Sequence, residues 1–442
     1  MPPNVIQKLL IIVLLATLSI SCAKKNVKPS ITKPSQPSVK NSSTNCDCAQ
    51  TPVQLPTNNQ STETKPAEIK PADSSKIADY SLLKLAKWED IDGLLDDDLG
   101  AAWGAWLQSC TTLKNKPLWQ AACNAASSLS KSNNDKSNND KPSNAAVIAY
   151  LTSYFDVYSA SNTEGNNTGL ITGYYEPLLK GSRSQSAQYP YPLYRQPSDL
   201  VTVELADIYP DLKFKRVRGK LVNKQGSQKL VPYMTRAEIE ATPSPLAGNE
   251  IVWIDDIIDV FFLQIQGSGL VDLDNGHQMH VGYADQNGHT YNSIGRLLIE
   301  RNELTADQAS MQGIKNWARN NLSKLRDLLN SNPSYVFFRE LPSGLPGPLG
   351  ALGVPITAER SVAIDPKYIP LGAPIFLSTT QPNSPTLLKR LMVAQDTGGA
   401  IKGGVRADFF WGAGETAGKQ AGAMKQQGKI WVLLPKGFVL PK

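Results

Sequence analysis

The sequence predicts an α+β protein, mainly β, with helices near its N-terminal end and barrel-like β material in the rest. Three patterns point that way. From Ile77 to Tyr158 apolar residues recur three or four apart, through Leu82, Leu83, Leu85 and Ala86, then Ala101 to Trp106, then Ala145 onward, which is a helical period. From Leu170 short apolar runs alternate with Gly, Pro, Asn and Asp, as in GLITGYYEPLL, KLVPYM, EIVWIDD, VFFLQIQGSG and GHQMHVGYADQNGHTY, which reads as strands and tight turns. A helical interlude, SIGRLLIER through LRDLLNSN (293–332), separates these from a last set of short strands.

The elements follow in order. Residues 1–22 carry Lys8, an apolar run from Leu9 to Leu18, and Ser-Ile-Ser before Cys22. That is a secretory signal peptide, because a membrane span needs about twenty apolar residues. Cys22 after small residues reads as a lipidation site and new N-terminus. Ser19 is a weak residue for such a box, and a plain signal peptide with an unmodified thiol is the alternative. Residues 23–77, rich in Ser, Thr, Pro, Asn, Lys and Gln, cannot bury enough apolar surface to fold and read as a disordered tether. Export to an oxidising compartment lets disulfides persist. Cys110 and Cys123 flank two helical pieces joined by a turn at Lys116-Pro117, a spacing that a disulfide closes. Cys46 and Cys48 fall in the tether, either unpaired or in a strained or intermolecular bond. SKSNNDKSNNDKPSN (130–144) reads as an exposed insertion between helices, and the remaining chain is long enough for two domains.

Charge and motifs exclude several functions. A formal net charge of +6 over 442 residues is modest and predicts no nucleic-acid partner. The Gly-rich stretches lack a following Lys-Ser/Thr, so there is no nucleotide loop. His277 and His280 with Asp274 match no standard zinc spacing, and no metal is expected.

Three aspartates of the C-terminal third stand out as chemistry: Asp365, Asp396 and Asp408. Asp396 follows the apolar LMVAQ and precedes Gly398 and Gly399, so its carboxylate emerges where the backbone turns and can approach a ligand. Asp408 stands between Arg406 and Phe409, Phe410 and Trp411. A carboxyl partly desolvated by aromatics has a raised pKa and can act as a general acid near neutral pH. Each has a plainer reading: Asp365 opens a turn before Pro366, Asp396 makes an Asx-turn, and Asp408 is a strand-end aspartate paired with Arg406.

TGYYEP (172–177), LQIQGSG (263–269), NPSYVFF (332–338) and the segment from DTGGAIKG to RADFFWGAG together resemble the membrane-bound lytic murein transglycosylase A family with its C-terminal three-aspartate (3D) domain. The resemblance covers about residues 160–440. It implies a double-psi β-barrel built from 78–177 plus 341–442, an inserted β-rich substrate domain at 178–340, and a glycan groove between them. It assigns the acid/base role to Asp408, electrostatic support to Asp396, and the third aspartate to Asp365. It places substrate contacts at Thr172, Gly173, Tyr174 and Tyr175, at Gln264, Gln266 and Ser268, and at Asp365 and Lys402. Without it, the Tyr pair reads as core packing, and LQIQ as a strand with both glutamines on one face. Glu176 is a weaker acidic candidate.

The implied reaction breaks the β-1,4 bond between N-acetylmuramic acid and N-acetylglucosamine and closes a 1,6-anhydro ring, with no cofactor. The implied partners are peptidoglycan strands, the outer membrane through the lipid on Cys22, and cell-wall enzyme complexes, with the protein facing the periplasm. The implied charge partner of the basic chain is the anionic wall polymer. The rival functions are a water-using muramidase and a wall-binding module that does not cut.

Overall fold

The computed structural model describes residues 78–133 and 141–440, which lie in a compact unit formed by residues 69–442. Cys22, the tether with Cys46 and Cys48, and most of the SNNDK repeat lie outside the described residues. The N-terminal part holds β1 (Leu83–Ala86), α1 (Trp103–Leu113), α2 (Pro117–Asn133), α3 (Asn144–Tyr154) and β2 (Phe155–Ala160). Pro117 opens α2, where its fixed φ suits the first helical position and its missing N–H has no helical partner to lose. Ser143 caps α3 by accepting from the Ala146 N–H. A disulfide joins Cys110 of α1 to Cys123 of α2.

Two stretches expected to be helical are strands. Leu83–Ala86 pairs antiparallel with β2 as a short edge strand, with Leu83 buried in the core and Leu85 72% exposed. Phe155–Ala160, rich in Phe, Val and Tyr, pairs on its other side with the chain's last strand. Four apolar residues within five positions fit either period, and here pairing across the sheet decides.

Next come β3 (Gly169–Glu176), β4 (Leu178–Ser182), β5 (Tyr191–Tyr194), β6 (Val201–Thr202), β7 (Arg218–Lys224), β8 (Ser227–Pro232), α4 (Arg236–Ile239) and β9 (Glu250–Ile254). They are followed by α5 (Ile257–Gln266), β10 (Ser268–Leu273), β11 (Gln278–Gln286), α6 (Ile294–Glu300), α7 (Met311–Asn320), α8 (Leu322–Asn330) and β12 (Val336–Glu340). Strands β4, β5 and β9–β12 form one sheet and β6–β8 another. The chain ends with β13 (Ser361–Ile364), β14 (Pro374–Thr380), β15 (Leu387–Asp396), β16 (Ala407–Ala413), α9 (Gly414–Ala423) and β17 (Lys425–Pro435).

Six strands close on themselves: β3 pairs with β16, β16 with β13, β13 with β15, β15 with β14, β14 with β17, and β17 again with β3. The β3–β16 and β13–β15 pairings are parallel and the other four antiparallel. This is the double-psi barrel, and its closure leaves no free edge within the ring. Helices α1–α3 and the barrel share one apolar core that includes Trp103, Trp106, Phe155, Phe376, Val393, Phe409 and Leu433. Inside it lies Asp97, which accepts two bonds from Arg360 at 2.6 and 3.0 Å and one from the Leu391 N–H at 2.8 Å. That carboxylate fixes the N-terminal segment to the approach of β13 and to β15, the strand that ends in Asp396.

Candidate active site

Register across the barrel places the candidate groups in one row. Ala363 on β13 is the partner of Asp408 on β16 to one side and of Asp396 on β15 to the other. Asp408 in turn opposes Thr172 on β3. With neighbouring strands about 4.8 Å apart, the two aspartate backbones stand roughly 10 Å from each other across the small side chain of Ala363. Residues two apart on a strand share a face, so Tyr174 joins Thr172 on this side. Its ring packs on Phe410 at 5.1 Å and its hydroxyl donates to Asp396 Oδ2 at 3.1 Å.

The two carboxylates differ in how they are held. Asp396 Oδ1 accepts from the Ala351 and Thr397 N–H groups, both at 2.9 Å, so with Tyr174 both of its oxygens are engaged. Asp408 Oδ1 accepts from the Thr172 hydroxyl at 2.5 Å, and Thr172 accepts from Arg406 Nη2 at 2.8 Å. Among the described residues no donor reaches Asp408 Oδ2. Burial pushes the Asp408 carboxyl above the usual aspartate range, against the Thr172 bond and the Arg406 charge, while the Asp396 charge adds to the rise. Burial likewise raises Asp396, opposed by its two N–H bonds, Tyr174 and the charge of Arg216. Tyr174 is held well above its ordinary value by burial and by both carboxylates, so it stays a donor.

The TGYYEP motif is split between two faces. Thr172 and Tyr174 look at the aspartates. Gly173 and Tyr175 look the other way: a Cβ on Gly173 would lie 2.7 Å from Trp411 Nε1 and 2.9 Å from Ala421 Cα, which is why glycine stands there. Tyr175 donates its hydroxyl to Met311 Sδ at 3.4 Å and its N–H to Gln266 Oε1 at 3.1 Å. Beside them a cleft of about 440 Å3, lined by Gly173, Gln266, Arg296, Met311, Ala421 and Lys425 among others, separates β3 and α9 from the helices after β11. Neither Asp396 nor Asp408 lines it. It adjoins the aspartate row through Gly173, the neighbour of Thr172.

Several sequence expectations are corrected. LQIQ is the end of helix α5 and not a strand, so Gln264 and Gln266, about 200° apart around the helix, do not share a face. Gln264 is buried and accepts from Arg236 Nη2, whereas Gln266 lines the cleft. Asp365 is 3% exposed, and its oxygens accept from the Gly403 and Lys367 N–H groups at 3.0 and 3.2 Å. It closes a turn and pins the loop before β16, with Lys402 Nζ 3.9 Å away, so both residues serve that loop. Ser268 begins β10 opposite Gly282, half-buried. Glu176 is bonded at 2.5 Å to His280 Nε2, and among the described residues no cluster suited to a metal includes these histidines.

The comparisons with known proteins agree with this geometry. Residues 170–339 match the MltA specific insert domain and residues 360–434 the 3D domain. The chain is 33% identical over 287 residues to membrane-bound lytic murein transglycosylase A of Escherichia coli, covering 63% of this chain and 69% of that protein. The chain belongs to the MltA family. A crystal structure of MltA from Neisseria gonorrhoeae superposes with a TM-score of 0.67 at 34% identity, covering 81% of this chain and 93% of that one. MltA of Escherichia coli with bound chitohexaose gives a TM-score of 0.59 at 25% identity, covering 84% and 99%. Two groups near Asp396 were passed over in the sequence reading. Ala351 lies in a loop whose N–H has no signature, and Arg216 lies in the basic run KFKRVR, where nothing in the spacing aims it at Asp396.

Proposed function

We propose that this protein is a peptidoglycan lytic transglycosylase in which Asp408 is the single acid/base and Asp396 a fixed supporting anion. The observation that carries the assignment is the asymmetry of the pair: both Asp396 oxygens are engaged, while Asp408 is tethered through Oδ1 and keeps Oδ2 for a substrate. Its raised pKa keeps the carboxyl protonated to higher pH, as a general acid requires. In the first step the Asp408 proton passes to the glycosidic oxygen and the bond from muramyl C1 to that oxygen breaks. The Asp396 carboxylate stabilises the oxocarbenium-like charge that develops. In the second, the Asp408 carboxylate takes the proton of the C6 hydroxyl while O6 bonds to C1, leaving a 1,6-anhydro end and Asp408 protonated again. No water enters, unlike the inverting and retaining hydrolases with their two-carboxylate chemistry.

The reacting sugar would sit on the Thr172 and Tyr174 face of β3 beside Asp396 and Asp408, while Gln266 and the 440 Å3 cleft lie on the other face of that strand. The separate sheets support a division into a barrel (78–177 plus 341–442) and an inserted lobe (178–340), with the glycan groove proposed between them. The E. coli relative that holds chitohexaose supports an amino-sugar polymer as ligand. The relatives' membrane-bound naming and the residues up to Cys22 support an outer-membrane lipoprotein facing the periplasm; among the described residues no helix is long and apolar enough to cross a membrane. The test is digestion of purified murein by wild-type protein and Asp408→Asn, with mass analysis of the soluble muropeptides. Products one water lighter than hydrolytic fragments, absent with the variant, support the assignment. Full-mass reducing products mean a muramidase, and release independent of Asp408 removes the residue from its role.

A further inference from the structure

The inserted lobe contains a second cavity, of about 400 Å3, lined entirely by residues between Gln185 and Tyr335. It sits at the opposite end of α5 from the groove: Ile257 and Val260 line it, whereas Gln266 lines the cleft beside the barrel, about 14 Å further along the helix axis. No residue of the barrel contributes to it.

Its chemistry is that of a saccharide site. Half-buried Trp253 on β9 and Tyr191 on the adjacent β5, which the register sets on opposite faces of the sheet, line the cavity together with buried Tyr335, aromatic surface suited to the apolar C–H side of a sugar ring. Gln185, Glu240 and Arg326 supply donors and acceptors among these rings, the small number of placed polar groups that marks a ligand pocket. Glu240 Oε1 is bonded to Arg236 Nη1 at 3.0 Å, and Glu240 Oε2 is buried with no donor. A buried carboxylate oxygen without a donor is costly, and a ligand hydroxyl would satisfy it. The charges balance in number: Arg236 compensates Glu240, and the lining also holds Glu250 and Arg326, whose Nη1 donates to the Glu240 carbonyl at 3.2 Å. A neutral polyol fits that balance better than a cation or an anion.

We propose that this cavity is a second, non-cleaving saccharide site that holds a neutral sugar unit of a glycan away from the reaction centre. It goes beyond the catalytic assignment and is independent of it. The test uses the full-length protein carrying Asp408→Asn, so that the probe is not consumed, titrated with chitotetraose by calorimetry and by the indole N–H resonances. Two classes of site are expected, with the Trp253 indole signal moving in one of them. Adding Trp253→Ala should weaken that class about tenfold, the loss of one aromatic platform, and leave the other in place. Tyr191→Ala should weaken the same class, and Trp253→Phe should restore part of the affinity, which separates ligand contact from damage to β9. An unmoved Trp253 signal, or affinities untouched by both alanine variants, overturns the proposal while leaving Asp408-dependent cleavage as it stands.

Discussion

Replacing Thr172 by valine is the most direct probe of how the barrel prepares Asp408. The two side chains have the same shape, so the substitution removes one hydroxyl and little else. That hydroxyl donates to Asp408 Oδ1 at 2.5 Å and accepts from Arg406 Nη2 at 2.8 Å, so it both stabilises the carboxylate and relays the arginine's charge. A hydrogen bond to a charged group contributes about 1.5–3 kcal/mol. Arg406 Nη1 is engaged by the Ala407 and Leu170 carbonyls, so Nη2 alone can swing toward Asp408 and recover part of the loss. A net loss of about 1.5 kcal/mol disfavours the ionised form roughly tenfold. Burial already holds Asp408 above the usual range, and losing a group that lowers its pKa moves it higher. With the protonated form required for the first step, kcat/KM for murein falls as pH rises through the Asp408 pKa. In Thr172→Val this descending limb should move to higher pH. A limb that stays in place or moves to lower pH would show that Thr172 does not tune the acid.

Three further outcomes are expected. Asp396→Asn should lower turnover by about 10²- to 10³-fold. It should also raise Tm at neutral pH, because a raised folded-state pKa means stability falls as pH climbs from the unfolded aspartate value through the folded one; the gain should vanish in acid below the ordinary aspartate range, as thermal scans across pH would reveal. Asp97→Ala strands the buried guanidinium of Arg360 and should cost about 3–5 kcal/mol in urea unfolding; a loss below about 1 kcal/mol would contradict the buried pairing. Reducing the Cys110–Cys123 bond, separated by 13 residues, should cost about 3 kcal/mol of stability in denaturant titrations with and without reductant, and an unchanged midpoint would refute it.

Much of the fold was legible in the sequence because strands punctuated by Gly, Pro, Asn and Asp carry their signals locally. Runs such as EIVWIDD and GHQMHVGYADQNGHTY are strands β9 and β11, and the interlude from 293 to 332 holds α6–α8. The LQIQGSG stretch was not legible as helix because its apolar run from Val260 to Leu263 is buried on all sides, and such a run has no period to read. The signals at its ends were present: Asp256 accepts from the Ile258 N–H as an N-cap, and Gly267 ends the helix at φ 85°. The aromatic neighbours of Asp408 marked it as a candidate, and only the family resemblance gave it the acid/base role. Its partnership with Thr172, 236 positions earlier in the chain, was not legible, because register between distant strands is set by closure of the barrel.

That distance explains how two buried carboxylates can be held close together at all. Each has its charged form disfavoured by burial, and Asp396 raises Asp408 further, so the pair works against stability. What holds it comes from every part of the folded chain: Thr172 and Tyr174 from β3, the Ala351 N–H from the loop before β13, and Arg406 from the approach to β16. The partners are fixed to the backbone of a closed ring, so a carboxylate that turned away to water would leave those bonds behind. A raised carboxyl with one free oxygen is therefore a property of the completed barrel, and a chain that has not closed β3 onto β16 and β17 carries ordinary aspartates and no means of cutting the wall.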